Sequence, residues 1–208
     1  MNSLHLELLR NATDVLREKD VKTYFSLREG LRNPAHLDRS FFSRKFASYY
    51  GLNRAHLGSP LTTKFFELLF NFPNANYAEP YGDLLKQLYD IPRQKGDRVL
   101  CFSFVTKLIA IHDESKPLYD RHVRDFFGLM PPAIGSVDFR IVGFLANLAA
   151  IQKCYADWTK GADFHGLTAP LFQRIPDLSN CHSSRVCDFL VWTVGSKNLW
   201  GQKEKNIV

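Results

Sequence analysis

One lysine stands in the most apolar stretch of this chain. From Val99 to Ile111 only Ser103, Thr106 and Lys107 interrupt the apolar residues, and Lys107 carries the stretch's single charge. Read as a helix, the three fall at i, i+3 and i+4 and share one narrow stripe. The rest is apolar all round, as a buried helix is. Burial disfavours a charged amine and lowers its pKa, leaving more neutral amine near pH 7. That neutral form attacks a sugar C1′ or a carbonyl carbon to make a Schiff base. In the plainer alternative Lys107 snorkels to a surface or pairs with a carboxylate. Asp120 heads the next helical segment, where a negative charge is stabilised; a simple N-cap role would also account for it. A loop containing Pro117 separates the two and can fold the chain back, so that lysine and aspartate converge on one pocket.

The run Thr106-Lys107, an apolar helix, a Pro-containing loop and then Leu118-Tyr119-Asp120-Arg121-His122-Val123-Arg124 resembles the catalytic segment of helix-hairpin-helix DNA glycosylases, nearest to the 8-oxoguanine type. The resemblance is confined to the stretch from Gly96 to Leu129. It implies that Lys107 matches the Schiff-base nucleophile and Asp120 the carboxylate that assists glycosidic bond cleavage. Ser103-Phe104-Val105 stands where that family carries a Gly-x-Gly hairpin, and the lysine-to-aspartate spacing is shorter than the family's. Any grip on DNA phosphates must then come from elsewhere in the chain.

Two basic groups flank the segment. Arg93, Lys95 and Arg98 lie just before it, and Arg121 and Arg124 lie after Asp120, at i and i+3 on one helix face. They are candidate phosphate contacts, although basic clusters of this kind are also common on solvated helix faces. Arg39, Arg44 and Lys45 form a further cluster. An enzyme that flips a base must hold it between aromatic or apolar side chains. Phe189 and Trp192, on the last helical segment, are the candidates there, because the resembled family closes its base pocket with that helix. His112, His122, Asp113 and Glu114, and separately Cys181, His182 and Cys187, include zinc-ligand types but lack ligand spacing on one helix; no metal is expected. No Gly-x-Ser-x-Gly elbow and no Gly-rich phosphate loop occurs.

The elements that must position these residues read as helices almost throughout. Leu4, Leu8 and Leu9 followed by Val15 and Leu16 mark a first amphipathic helix, and Val21 to Leu31 a second. Phe41, Phe42, Phe46, Tyr49 and Tyr50 form an aromatic stripe closed by Gly51. Ser59-Pro60 reads as an N-cap and first turn, and Glu79-Pro80 opens a further helix. Asp97 is placed to cap the Val99–Ile111 helix. Ser136 caps a long helix broken at Gly161, and Ser183 or Ser184 caps a last one closed by Gly195. Strand alternation is nearly absent. The expectation is a compact all-α fold of about eight to ten helices, in one domain over 1–208, with two helical subdomains (about 1–92 and 93–208) and the site between them as a variant.

Composition fits this reading. With 45% hydrophobic and 23% charged residues over 208 positions, the chain is neither disordered nor collagen-like, and it is long enough for a sizeable core. A net charge of +6 favours an anionic partner mildly. Met1–Leu9 has no secretory pattern, no apolar run reaches membrane-spanning length, and the four scattered cysteines form no disulfide framework. The expectation is a DNA N-glycosylase, with or without AP lyase activity. It would need no cofactor and work as a monomer on double-stranded DNA inside the cell, in the cytoplasm or in a nucleus. The alternative is a non-catalytic all-α module that binds nucleic acid or another protein.

Overall fold

The computed structural model describes residues 1–75 and 77–200, and among these it is all-helical. Ten α-helices follow one another: α1 (Ser3–Val15), α2 (Glu18–Arg32), α3 (Arg39–Tyr50), α4 (Ser59–Asn71), α5 (Pro80–Tyr89), α6 (Phe102–His112), α7 (Arg121–Phe127), α8 (Val137–Thr159), α9 (Ala162–Arg174) and α10 (Ser183–Ser196). Among the described residues no helix is long and apolar enough to cross a membrane.

Local chemistry accounts for most boundaries. The Asp38 carboxylate accepts from the Phe41 N–H at the head of α3, and the left-handed Gly51 (φ 72°) closes that helix. Ser136 caps α8 through the Phe139 N–H. Other boundaries differ from the sequence reading. Helix α6 starts at Phe102 rather than Val99, without a side-chain cap, because Asp97 is engaged by the Arg93 guanidinium instead. The N-cap of α10 is His182, whose ring accepts from the Ser184 N–H, and α4 begins after Gly58 with Pro60 in its first turn. Helix α9 was hidden in the sequence by its internal Pro170 and by Gly161 and Gly166. Gly195 does not close α10 but lies inside it. A Cβ there would fall 2.5 Å from the Cβ of His122 on α7, so glycine lets the two helices approach closely.

Helices α6 and α10 form the middle of the structure. Every residue of α6 from Val105 to Ile111 is buried, and so is α10 from Ser184 to Val191. Helix α10 packs on α1, α7 and α8, and α2 packs on α6. One continuous apolar core therefore runs from Leu8 to Leu199 across residue 92. From the aromatic stripe of α3, Phe42 and Phe46 join it, while Phe41 stays 58% exposed.

Candidate functional site

The stripe on α6 does what its spacing suggested, with a division of labour. Thr106 Oγ1 donates to the Ser103 carbonyl and accepts from the Tyr119 N–H at 3.1 Å, which ties the residue before Asp120 to the helix. Lys107 Nζ donates to Ser103 Oγ at 2.8 Å and lies 3.8 Å from Asp120 Oδ2. The rings of Phe104 and Tyr50 stand 5.6 and 6.0 Å from the amine. Asp120 is the N-cap of α7 and accepts from the Val123 N–H at 3.1 Å. The two predicted residues thus meet, on adjacent helices, with side chains only 8% and 10% exposed. Burial pushes the Lys107 amine below its ordinary pKa, against the upward pull of the Asp120 carboxylate.

A cavity of about 270 Å³ opens next to the pair. Its wall includes Ser103, Phe104, Tyr119 and Asp120, and three arginines (Arg93, Arg121 and Arg124) line it as well. Lys107 is not part of the wall and stands behind Ser103 and Asp120. Arg93 is engaged by Asp97 and Arg121 by Asp125 at 3.4 Å, while Arg124 lies over the Tyr119 ring at 5.9 Å. Lys95 and Arg98 are exposed on the preceding turn and do not line the cavity. Pro131 does, and next to it Met130 and Ile134 are 81% and 86% exposed.

Phe189 and Trp192 do not reach this cavity. Phe189 is buried edge-on against Tyr24 at 5.4 Å, and Trp192 faces His122 at 6.1 Å. The reason is the burial of α10 on nearly every side, which commits its aromatic residues to packing. The apolar walls come instead from Phe102, Phe104 and Tyr119. Of the metal-ligand types, His112 bonds the Leu69 carbonyl at 3.0 Å and stacks on Phe72. Among the described residues no three His, Cys, Asp or Glu side chains converge on one point.

The positioning of Asp120 depends on a second buried pair that sequence reasoning missed. Asp188 on α10 accepts from the Leu118 N–H at 3.1 and 3.2 Å, from the Tyr155 hydroxyl at 3.0 Å and from Arg185 Nη1 at 2.7 Å. Arg185 Nη2 in turn donates to the carbonyls of Ala110 and Lys116. The α6–α7 connection is therefore held from both ends of its polar backbone. Burial raises the Asp188 carboxyl to about 6, opposed by Arg185 and the donors from Leu118 and Tyr155. The signal was available: Asp188 is the single charge inside the apolar run Val186–Val191, as Lys107 is in its own, and Arg185 stands directly before it. Compared with protein-family models, curated proteins and solved structures, the chain finds no match.

Proposed function

We propose that this chain is a DNA N-glycosylase with AP lyase capacity, acting as an intracellular monomer on double-stranded DNA. The observation that carries the reading is a buried lysine 3.8 Å from a buried aspartate, behind the wall of an arginine-lined cavity. A base flipped from the duplex would enter between Phe102, Phe104 and Tyr119. The neutral Lys107 amine would turn past Ser103 and attack C1′. The C1′–N bond breaks, its electron pair leaves with the base, and the base takes up the proton the amine gives up. The Asp120 carboxylate stabilises the positive charge developing on the sugar. The nitrogen lone pair then opens the sugar ring: the C1′–O4′ bond breaks, O4′ takes a proton from solvent, and a protonated imine forms. The imine acidifies C2′–H, solvent takes that proton, and β-elimination breaks the C3′–O bond, whose electron pair leaves with the 3′-phosphate. Arg121 and Arg124 would hold the flanking phosphates.

The second reading, a non-catalytic nucleic-acid-binding or protein-interaction module, is favoured by one observation: Lys107 stands outside the cavity wall with Ser103 as a hydrogen-bond partner. Borohydride trapping separates the two. The protein is incubated with duplexes carrying an abasic site or 8-oxoguanine and then reduced. A covalent band lost in Lys107→Gln, with base release lost in Asp120→Asn, is the expected result. A band that survives Lys107→Gln, or no base release and no band on either duplex, removes the glycosylase–lyase. In that case duplex binding that weakens steeply with salt would keep the nucleic-acid module.

A further inference from the structure

Helix α6 has a cavity at each end. Ser103 and Phe104 line the one described above, while Ile111 and His112 line another of about 460 Å³, between the C-terminal ends of α2, α4 and α6. Roughly 14 Å of helix separates Ser103 from His112. The second cavity plays no part in the proposed chemistry, and its volume lies in the range of small-molecule sites.

Its charged lining is of one sign. Arg28 and Arg32 from α2 and Arg39 from α3 face it, and no Asp or Glu lines it. Arg28 is held from behind by Glu114 at 2.8 Å, and Glu114 also accepts from the Tyr24 hydroxyl, which fixes the pair in place. Arg32 and Arg39 make no ion pair with any described residue. Arg39 instead lays its guanidinium over the Phe70 ring at 5.0 Å. Arg28 and Arg32 sit near the end of α2, where a helix welcomes cations. Arg39 is the first residue of α3, where the helix dipole disfavours a cation. The neighbouring Asp38 carboxylate is turned to the Phe41 N–H, so helix electrostatics do not explain why Arg39 is there. Burial holds His112 below its ordinary pKa, so near pH 7 the positive character comes from the arginines.

We propose that this cavity is an anion site for a phosphate ester. Two guanidinium groups without ionic partners, beside a third that is fixed in place, offer forked donors matched to phosphate oxygens and the charge to balance a phosphate. The cavity has room for a nucleotide-sized group. The phosphate could belong to a small organic ligand or to the backbone of a bound nucleic acid, and the chemistry of recognition is the same.

The experiment titrates the full chain with inorganic pyrophosphate by calorimetry at low salt, beside an Arg32→Gln/Arg39→Gln double variant and Lys107→Gln. Both arginines are exposed, so the double variant keeps its fold, which is checked by its melting curve. Saturable binding that weakens about tenfold or more in the double variant is expected. Lys107→Gln should bind as the parent does, which separates this site from the glycosylase reading. A parallel titration with a short DNA duplex assigns the source. Loss of duplex affinity in the double variant, with displacement by pyrophosphate, assigns the site to the nucleic-acid backbone; unchanged duplex affinity assigns it to a small ligand. Absent pyrophosphate binding, or binding unaltered in the double variant, overturns the proposal.

Discussion

Two buried acid–base pairs flank the α6–α7 connection, and they are built differently. Arg185 and Asp188 are 2% and 1% exposed, meet at 2.7 Å, and share bonds with Leu118, Tyr155, Ala110 and Lys116. Lys107 and Asp120 stand 3.8 Å apart beside a cavity, each satisfied in part by a neighbour, Ser103 for the amine and Val123 for the carboxylate. A buried charge is tolerated only when paired and hydrogen-bonded. The first pair meets that condition nearly in full and so serves as architecture. The second meets it loosely, which leaves an amine with a lowered pKa and a carboxylate within reach of whatever enters the cavity.

Several substitutions would break or sharpen this contrast. The largest effect is expected from Asp188→Ala, which strands the Arg185 charge and removes the acceptor of the Leu118 N–H and the Tyr155 hydroxyl. It should cost about 3–5 kcal/mol, read as a fall in the urea midpoint. A drop no larger than that of Lys107→Gln would erase the distinction between the pairs. Thr106→Val keeps the shape of the side chain but leaves the buried Tyr119 N–H without its acceptor, for a loss of about 1–3 kcal/mol. If Thr106 positions Asp120, trapping yield should fall with stability still sufficient to fold.

Lys107→Gln is expected to cost about 1–3 kcal/mol: the Asp120 carboxylate loses its ionic partner but keeps the Val123 N–H and its place on the cavity wall. Its pH signature is sharper. The folded-state pKa lies below the ordinary 10.5, so between those two values the unfolded chain binds more protons. The contribution of this group to stability should therefore rise with pH through that window, and below it the cost of burying the charged amine is carried in full. Buried tyrosines such as Tyr24 and Tyr155, whose hydroxyls burial holds above their ordinary pKa, act in the opposite sense in both proteins. In chemical denaturation across the alkaline range, the difference in slope between the parent and Lys107→Gln therefore isolates the amine; identical slopes would mean it is not desolvated. Arg121→Gln should have the smallest effect, leaving the urea midpoint in place. If Arg121 holds a phosphate, the slope of log affinity for duplex against log salt should fall by about one.

How far the sequence could be read follows from which forces are local. Caps and closing glycines act within a few residues, so Gly51, Asp120 and Ser136 set their boundaries as their positions suggested. The Lys107–Asp120 meeting was legible because a charge in an apolar helix has few places to go. Arg185–Asp188 carried the same signal, yet its partners, Leu118, Tyr155 and Ala110, lie 33 to 75 residues away. Nothing local names them. Phe189 and Trp192 were misplaced for a related reason: aromatic residues read alike whether they line a cavity or fill a core, and only the packing of α10 decides between the two. The cavity beyond His112 draws residues from four helices and had no linear trace.

The closeness of α7 and α10 at Gly195 has a consequence for genetics. His122 sits where any side chain at position 195 would have to go, and interiors this dense yield little to an added methyl group. Alanine there would push α7 outward and carry its first turn, with Asp120, off its mark. If Asp120 assists the proposed cleavage, a saturation screen scored on that cleavage should find position 195 as intolerant as position 120. A survey of phenotypes alone would then assign a chemical role to a residue whose contribution is to occupy no space.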